Sequence, residues 1–189
     1  MYQAKNYEHL IGLQGMSEAL LKNHFTLYQG YVTNANKLVD LLKAKEVGTP
    51  EYSELQRRLG WEWNGMRLHE LYFENMTLDS KPLDESSLLG KKITEVFGSV
   101  ENWTKNFKGI GTMRGIGWVM LVYDKEVNKL FNVWVNEHDV GHLAGVTPLL
   151  VMDVFEHSFM LDYGLKRADY IEAFWKNIDW DIVTTRLNA

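Results

Sequence analysis

Four side chains of types that bind transition metals stand within, or directly after, apolar patterns in the sequence. Asp153 and His157 stand four residues apart in the segment DVFEH, directly after an apolar run. His24 and His69 each lie within an apolar pattern of helical period. Three imidazoles and one carboxylate form a donor set of intermediate hardness, which suits iron, manganese or zinc. Because the chain has no cysteine, a thiolate site is excluded.

Each of these residues also has an ordinary structural interpretation. Asp153 could cap the turn after its strand, with His157 there by chance. A lone histidine on the apolar side of a helix is more often a hydrogen-bonded core residue than a ligand. The metal hypothesis depends on the four residues together, because a shared ion would tie separate segments to one another.

Two helices are predicted in the first half of the chain, and each carries one of the candidate histidines. Ser17 is a typical N-cap before an apolar stripe, which predicts a helix from Ser17 to about Lys45. Residues 48–50 (GTP) predict a turn. A second helical pattern covers residues 61–75. The first half therefore reads as a helical hairpin.

The second half mixes helical and strand patterns, and the predicted fold class is α+β. The polar stretch at 77–87 contains a proline and is the best boundary, so we predict a helical hairpin domain over 1–82 and an α/β domain over 83–189. Further helices are predicted at 88–97, 99–109 and 166–177. Strands are predicted at 118–123, 130–135 and 148–154.

Composition narrows the possible functions. The 189 residues suit one large domain or two small ones. A net charge of −5 without a basic patch argues against nucleic-acid binding. The N-terminal sequence lacks the pattern of a secretory signal, and no stretch approaches the roughly 18 apolar residues of a membrane span. We therefore expect a cytoplasmic protein.

Several segments resemble the iron/manganese superoxide dismutase family. The stretch DVFEHSFMLDYGLKRADYIEAFWKNIDW is similar to the family's C-terminal pattern D-x-W-E-H…DY…R…Y…FW…W. NHFTLYQGYVTNANKL, LHELYFENM and GIGWVMLVY follow the family's order at about its spacing. The resemblance covers nearly the whole chain. It implies a helical hairpin followed by an α/β domain with a three-stranded antiparallel sheet, the layout that periodicity also predicts.

The resemblance implies an activity and a cofactor. The family converts superoxide to oxygen and hydrogen peroxide at one iron or manganese ion per subunit. The residues at its ligand positions are His24, His69, Asp153 and His157. The metal alternates between two oxidation states, and groups that hydrogen-bond its bound solvent tune this change.

The resemblance also assigns residues around the metal. Tyr31 would gate the substrate channel, while Trp118 and Trp175 would wall the metal pocket or else only pack in the core. Glu156 would hydrogen-bond a ligand histidine of a second subunit, which implies a homodimer that could pair into a tetramer. Arg167 would support this region or attract the anion.

One departure from the family pattern concerns the partner of the bound solvent. This partner is usually a glutamine. At the position where iron members have it, this chain has Gly65, and at the position where manganese members have it, this chain has His138. A subset of the family has histidine there, so His138 is the candidate partner, with an exposed loop histidine as the alternative. Gly65 favours His138, because a side chain from elsewhere needs that room. Iron is slightly favoured as the bound metal. Manganese, or a site that accepts both metals, is the alternative.

A second departure lies in the first helix. The ligand histidine usually precedes the gating tyrosine by eight residues, whereas His24 precedes Tyr31 by seven. Counting back from the tyrosine would make Asn23 the ligand. A one-residue deletion resolves the conflict, and His24 is preferred because asparagine is a poor ligand.

A third departure concerns the substrate gateway. The family's histidine–tyrosine pair is replaced, with Met160 at the tyrosine position and Leu27 or Tyr28 at the histidine position. We therefore expect a more apolar channel. Phe155 and Met120 replace common tryptophans and are interpreted as packing changes.

Two other functions remain open from the sequence. The chain could be a metal-binding but catalytically weak homologue with a structural or partner-binding role. It could also be a zinc hydrolase on the same four ligands. That second alternative lacks a spare carboxylate as general base, apart from Glu156.

Overall fold

The computed structural model describes residues 1–188. Its first half is the predicted pair of long helices. The first, α1, spans Glu18–Ala44 without interruption. It begins after Ser17, whose hydroxyl accepts a hydrogen bond from the backbone N–H of Leu20 and so satisfies one unpaired donor of the first turn.

The second helix, α2, is longer than its apolar pattern predicts. It spans Pro50–Glu74 rather than beginning near Trp61. Thr49 caps it by accepting from the Tyr52 N–H, and the proline fits the first helical position, where no N–H is needed. The early turns are polar and exposed, so they carry no stripe that periodicity could detect.

The second half contains the three predicted helices and two that were not predicted, at Met160–Tyr163 and Trp180–Leu187. Its helices are α3 (Leu88–Phe97), α4 (Val100–Gly111), α5 (Met160–Tyr163), α6 (Arg167–Trp175) and α7 (Trp180–Leu187). The predicted closing helix at 166–177 thus ends early, and α7 follows after an Asp179 cap. Among the described helices, none is both long and apolar enough to cross a membrane.

A three-stranded antiparallel sheet lies between these helices. Its strands are β1 (Gly117–Asp124), β2 (Lys129–Asn136) and β3 (Thr147–Asp153), in the order β2-β1-β3. The predicted fold class is therefore confirmed. Trp118 on central β1 pairs with Val135 on β2 and with Asp153 on β3. This register brings the last residue of β3 beside a buried tryptophan.

Helix α7 helps to join the two halves of the chain. Asn75, which is fully buried at the end of α2, exchanges hydrogen bonds with the backbone of Val151 on β3. Arg186 on α7 donates to the Asn75 side chain and to the Leu149 carbonyl oxygen. The buried apolar residues of both halves form one continuous core.

Candidate metal centre

Four donor atoms converge where the helical hairpin meets the sheet. His24 comes from α1, His69 from α2 and Asp153 from the end of β3. His157 follows in the short 3-10 turn Glu156–Ser158. Asp153 Oδ2 lies 3.0 Å from His157 Nε2 and 3.2 Å from His24 Nε2. It lies 3.6 Å from His69 Nε2, and all four donor atoms are within 4.8 Å of one another.

The charges of this cluster suit a cation. Burial lowers the pKa of His24 and holds the pKa of His69 well below its ordinary value, so both imidazoles are neutral. Burial alone would raise the pKa of Asp153, but His157 and His24 outweigh it and hold that pKa well below its usual range. The ionised carboxylate of Asp153 and the neutral imidazoles of His24 and His69 are deprotonated donors, which a metal requires.

Within residues 1–188, two nitrogen atoms of the cluster have no hydrogen-bond partner. Nε2 of His24 and Nε2 of His69 are buried and unpaired, which costs about 1–3 kcal/mol for each atom. His69 Nδ1 lies 2.6 Å from the Gly65 carbonyl oxygen, so it carries the proton of the neutral ring. The Nε2 lone pair is then free to bind a metal. The residues present fit an iron or manganese ion.

The structure places His24, and not Asn23, in the cluster. His24 is 2% exposed and faces the other donors, whereas Asn23 is exposed. Tyr31 stacks on His69 with ring centroids 5.1 Å apart. A separation of seven residues is close to two helical turns, so His24 and Tyr31 share one face of α1 without any bulge in the helix.

Asp153 is held from its backbone as well as its side chain. Its Oδ1 accepts from the Phe155 N–H at 2.8 Å, and its carbonyl oxygen accepts from the Tyr170 hydroxyl at 2.7 Å. The Tyr72 and Tyr170 hydroxyls are 3.1 Å apart, so Tyr72 donates to Tyr170. Both rings are buried. This support was not predicted, since no motif joins residues 98 positions apart.

Tyr31 occupies the room that Gly65 leaves. A Cβ on Gly65 would lie 2.5 Å from Tyr31 Cδ1, closer than any real contact. Another side chain does fill the space beside Gly65, as the sequence predicted. That side chain is Tyr31 and not His138. His138 contacts the far end of Tyr31, with Nε2 2.7 Å from the hydroxyl oxygen.

His138 is a buried residue and not an exposed loop histidine. Its exposure is 0%. Glu137, before it, has a φ of 52°, a backbone conformation that non-glycine residues rarely adopt. The His142 Nε2–H donates to the His138 carbonyl oxygen at 2.9 Å. Burial lowers the pKa of His138 to about 4, so the ring is neutral at physiological pH.

The partners of His138 determine which of its nitrogens carries the proton. Trp118 Nε1–H donates to His138 Nδ1 at 3.0 Å. A neutral imidazole has one N–H, so the proton is on Nε2 and is donated to the Tyr31 oxygen. The Tyr31 hydroxyl hydrogen is then free to point to another acceptor. His138 is thus hydrogen-bonded to Tyr31, which stacks on His69.

The rings around the site differ from those predicted. Trp118 packs edge-on against His69 at 5.0 Å, as expected of a pocket wall. Trp175 does not line the pocket, because its ring packs with Trp103, Phe107 and Trp180. The core-packing alternative therefore describes Trp175. Sequence reasoning chose it because it lies in a family motif, which says nothing about distance.

Two unpredicted rings complete the enclosure. Phe155 stacks on His138 at 4.8 Å and on His157 at 5.1 Å. Trp61 packs edge-on against His138 at 4.8 Å. Phe155 is therefore more than a packing change. Its place two residues before a candidate ligand could have identified it, whereas nothing in the sequence identifies Trp61.

The gateway positions are now located. Tyr28 is buried and donates to Glu70 at 3.0 Å, which leaves the half-buried Leu27 as the residue at the histidine position. Met160 is exposed. Neither can replace a histidine–tyrosine hydrogen bond. A more apolar channel stays a prediction.

Glu156 and Arg167 lie beside the cluster. Glu156 is exposed. The Arg167 guanidinium donates to the carbonyl oxygens of Gly115 at 2.7 Å and Val154 at 3.2 Å, and also to that of Met113. Arg167 therefore braces the loop before β1 against the segment after β3, which agrees with a supporting role.

Comparison with known proteins agrees with this geometry. Residues 85–186 match the family model of the C-terminal domain of iron/manganese superoxide dismutases. The chain is 38% identical to the iron superoxide dismutase of Cupriavidus metallidurans over 94% of its length and 91% of that protein. It is 38% identical to a manganese superoxide dismutase of Haloferax volcanii over 87% of its length and 82% of that protein. The chain therefore belongs to the iron/manganese superoxide dismutase family.

Proposed function

We propose that this protein is a superoxide dismutase with one iron or manganese ion bound by the four clustered side chains. The proposed ligands are His24, His69, Asp153 and His157. The observation that carries the proposal is the convergence of these donors with two buried imidazole nitrogens left unpaired. Relatives named for each metal match most of the chain.

The chain supplies a proton-donating group beside the cluster. Iron or manganese, when bound, supplies alternate one-electron oxidation and reduction. The overall reaction takes up two protons for every two superoxide ions. Tyr31 stacks on the proposed ligand His69 and is oriented by His138. We assign proton donation to the Tyr31 hydroxyl and its orientation to His138.

The surrounding rings limit access of water to this reaction. Trp118 and Phe155 pack against the cluster, and Trp61 covers His138. Low local polarity strengthens each electrostatic interaction inside the site. Of the four proposed ligands only His157 keeps substantial exposure, 27% of its side chain.

We also propose that the protein forms a homodimer through the face around Glu156. The exposed Glu156 is followed along the chain by Met160, Leu161 and Leu165, which are 47%, 58% and 90% exposed. Exposed apolar side chains of this size favour an interface. In such a dimer Glu156 would reach a ligand histidine of the second subunit. Sedimentation analysis tests the dimer and would also detect pairing of dimers into a tetramer.

The domain boundary and the cellular location remain proposals. The division into residues 1–82 and 83–189 is supported by the polar connection between α2 and α3. The shared core implies that the two parts fold together. A cytoplasmic location is testable by fractionating the source cells.

Metal reconstitution tests the proposed function. The purified protein is stripped with a chelator, reloaded separately with iron, manganese or zinc, and assayed for superoxide consumption. We expect activity with iron, manganese or both, and a slight preference for iron. Zinc as the only tightly bound metal, or no activity with either redox metal, would contradict the proposal and favour the hydrolase or weak-homologue alternative.

A further inference from the structure

The face of α2 that carries His69 continues outward to an ion pair. Arg58, Glu62, Gly65 and His69 follow one another at spacings of four, three and four residues, so they share one side of the helix. At about 1.5 Å per residue, the Cα atoms at the two ends are about 16 Å apart. This stripe runs from the proposed metal ligand to solvent.

The facing side of α1 runs antiparallel along the same line. His24 faces His69 with ring centroids 5.0 Å apart. Tyr31 fills the space at Gly65. Asn34 Nδ2 then donates to Glu62 Oε2 at 3.3 Å. From the inside outward, the two helices therefore carry the four candidate ligands, then Tyr31, and finally the ion pair of Arg58 and Glu62.

Arg58 is held at the outer end with its charge toward solvent. Its Nε donates to Glu62 Oε1 at 2.9 Å, and its Nη2 lies 2.7 Å from the same oxygen. The guanidinium lies over Trp61, 5.1 Å from the ring centroid. The Arg58 side chain is 52% exposed and that of Glu62 only 4%. The positive end of the pair therefore faces solvent.

The ion pair lies next to the rings that surround the cluster. The Tyr31 ring packs at Gly65 on the same face of α2, and Trp61, beneath the Arg58 guanidinium, packs edge-on against His138. Arg58 and Glu62 carry opposite charges, so they act in opposite directions on an anion that approaches Tyr31.

We propose that Arg58, positioned by Glu62 and Trp61, draws the superoxide anion into the mouth of the pocket, and that Glu62 limits this attraction. The inference rests on the proposed dismutase activity. A unit charge about 10 Å from the path of a monovalent anion in water changes the association rate about twofold. Screening over about 8 Å at physiological salt reduces the effect.

Charge-changing variants of both residues test this proposal. We would compare Arg58→Gln, Glu62→Gln and the double variant with wild type, using Arg57→Gln as the matched control. Arg57 directly precedes Arg58, and it also pairs with a glutamate, since its Nε lies 3.2 Å from Glu54 Oε2. The rate kcat/KM for superoxide is measured by pulse radiolysis at ionic strengths from low to high.

The two single variants, Arg58→Gln and Glu62→Gln, are expected to change kcat/KM in opposite directions. At low salt, Arg58→Gln lowers kcat/KM about twofold and Glu62→Gln raises it about twofold. The double variant returns close to wild type, Arg57→Gln stays near wild type, and all curves converge at high salt. Losses of the same sign in both single variants, or an equal loss in Arg57→Gln, would overturn the proposal.

Azide binding provides a readout that needs no turnover. Stopped-flow absorbance of the metal-loaded proteins should show an azide association rate constant about twofold lower in Arg58→Gln and unchanged in Arg57→Gln. Equal association rate constants would overturn the assignment of Arg58. Absence of superoxide turnover in the wild type would instead overturn the proposed function, so the two failures are distinguishable.

Discussion

At the scale of single residues, the site combines one charged group with several neutral ones. Asp153 is kept ionised by the surrounding imidazoles, while burial keeps His24 and His69 neutral. His138 is neutral as well and is fixed between Trp118 and Tyr31. Asp153, His24, His69 and His138 therefore each have one protonation state at neutral pH.

The ligand from α1 is testable by two neighbouring substitutions. His24→Ala should weaken metal binding by at least roughly 100-fold, because it removes a donor atom directed into the cluster. Asn23→Ala, at an exposed position, should retain the metal. Metal content per chain is measured by plasma mass spectrometry after reloading and gel filtration. Retention of metal by His24→Ala would contradict the ligand assignment.

The proton position on His138 is directly observable. Nitrogen NMR of the metal-free protein should show Nε2 protonated and Nδ1 unprotonated, since Trp118 donates to Nδ1. Trp118→Phe removes that donor and should produce a mixture of both tautomers. A protonated Nδ1 in the wild type would reverse the direction of the hydrogen bond to Tyr31.

At the scale of secondary structure, one face of α2 carries both a candidate metal ligand and an ion pair. Its inner part brings His69 to the cluster, and its outer part carries the ion pair of Arg58 and Glu62. Between them Gly65 has no side chain, which allows the Tyr31 ring to reach His69. The helix tolerates this glycine because packing of the aromatic ring offsets its poor helix propensity.

Two glycines in α2 offer a matched test of this arrangement. Gly65→Ala would place a Cβ within 2.6 Å of two Tyr31 ring atoms, so we expect a loss of about 1–3 kcal/mol in unfolding free energy. Gly60→Ala meets nothing within 4 Å and should stabilise the helix by up to about 1 kcal/mol. Urea unfolding of the metal-free variants measures both. Equal effects would mean that Tyr31 does not fill this space.

At the scale of the whole molecule, the proposed metal site and the core join the two halves. The four donors come from both long helices and from the sheet. Asn75 connects α2 with β3, and Arg186 connects α7 with both. Several buried imidazoles lie at this junction. Folding of the metal-free chain therefore depends on pH.

The sign of this dependence follows from His138. Its pKa is about 4 in the folded chain and about 6.5 when unfolded, so between these values the unfolded state binds the extra proton. Its stabilising contribution is complete above about pH 6.5 and is lost as pH falls toward 4, by up to about 1.4 kcal/mol per pH unit. Urea unfolding of the metal-free protein at several pH values should show a shallower slope for His138→Gln than for wild type. Equal slopes of unfolding free energy against pH in the two proteins would contradict the assignment of this effect to His138.

The sequence by itself determined most of the helices, the three strands and the four candidate ligands. Apolar periodicity is a local property, which is why α1 and the three strands were predicted close to their observed bounds. Asp153 and His157 were recognisable because their spacing is short and lies in a family motif. The polar start of α2 has no apolar stripe, and α7 follows an unrecognised cap, so local patterns missed both.

Only the tertiary structure decided what surrounds the ligands. It placed Phe155 and Trp61 at the pocket and Trp175 away from it. It also showed that Tyr31 occupies the space at Gly65. These outcomes depend on distances between residues far apart in the chain, which packing of complete side chains establishes and residue order does not.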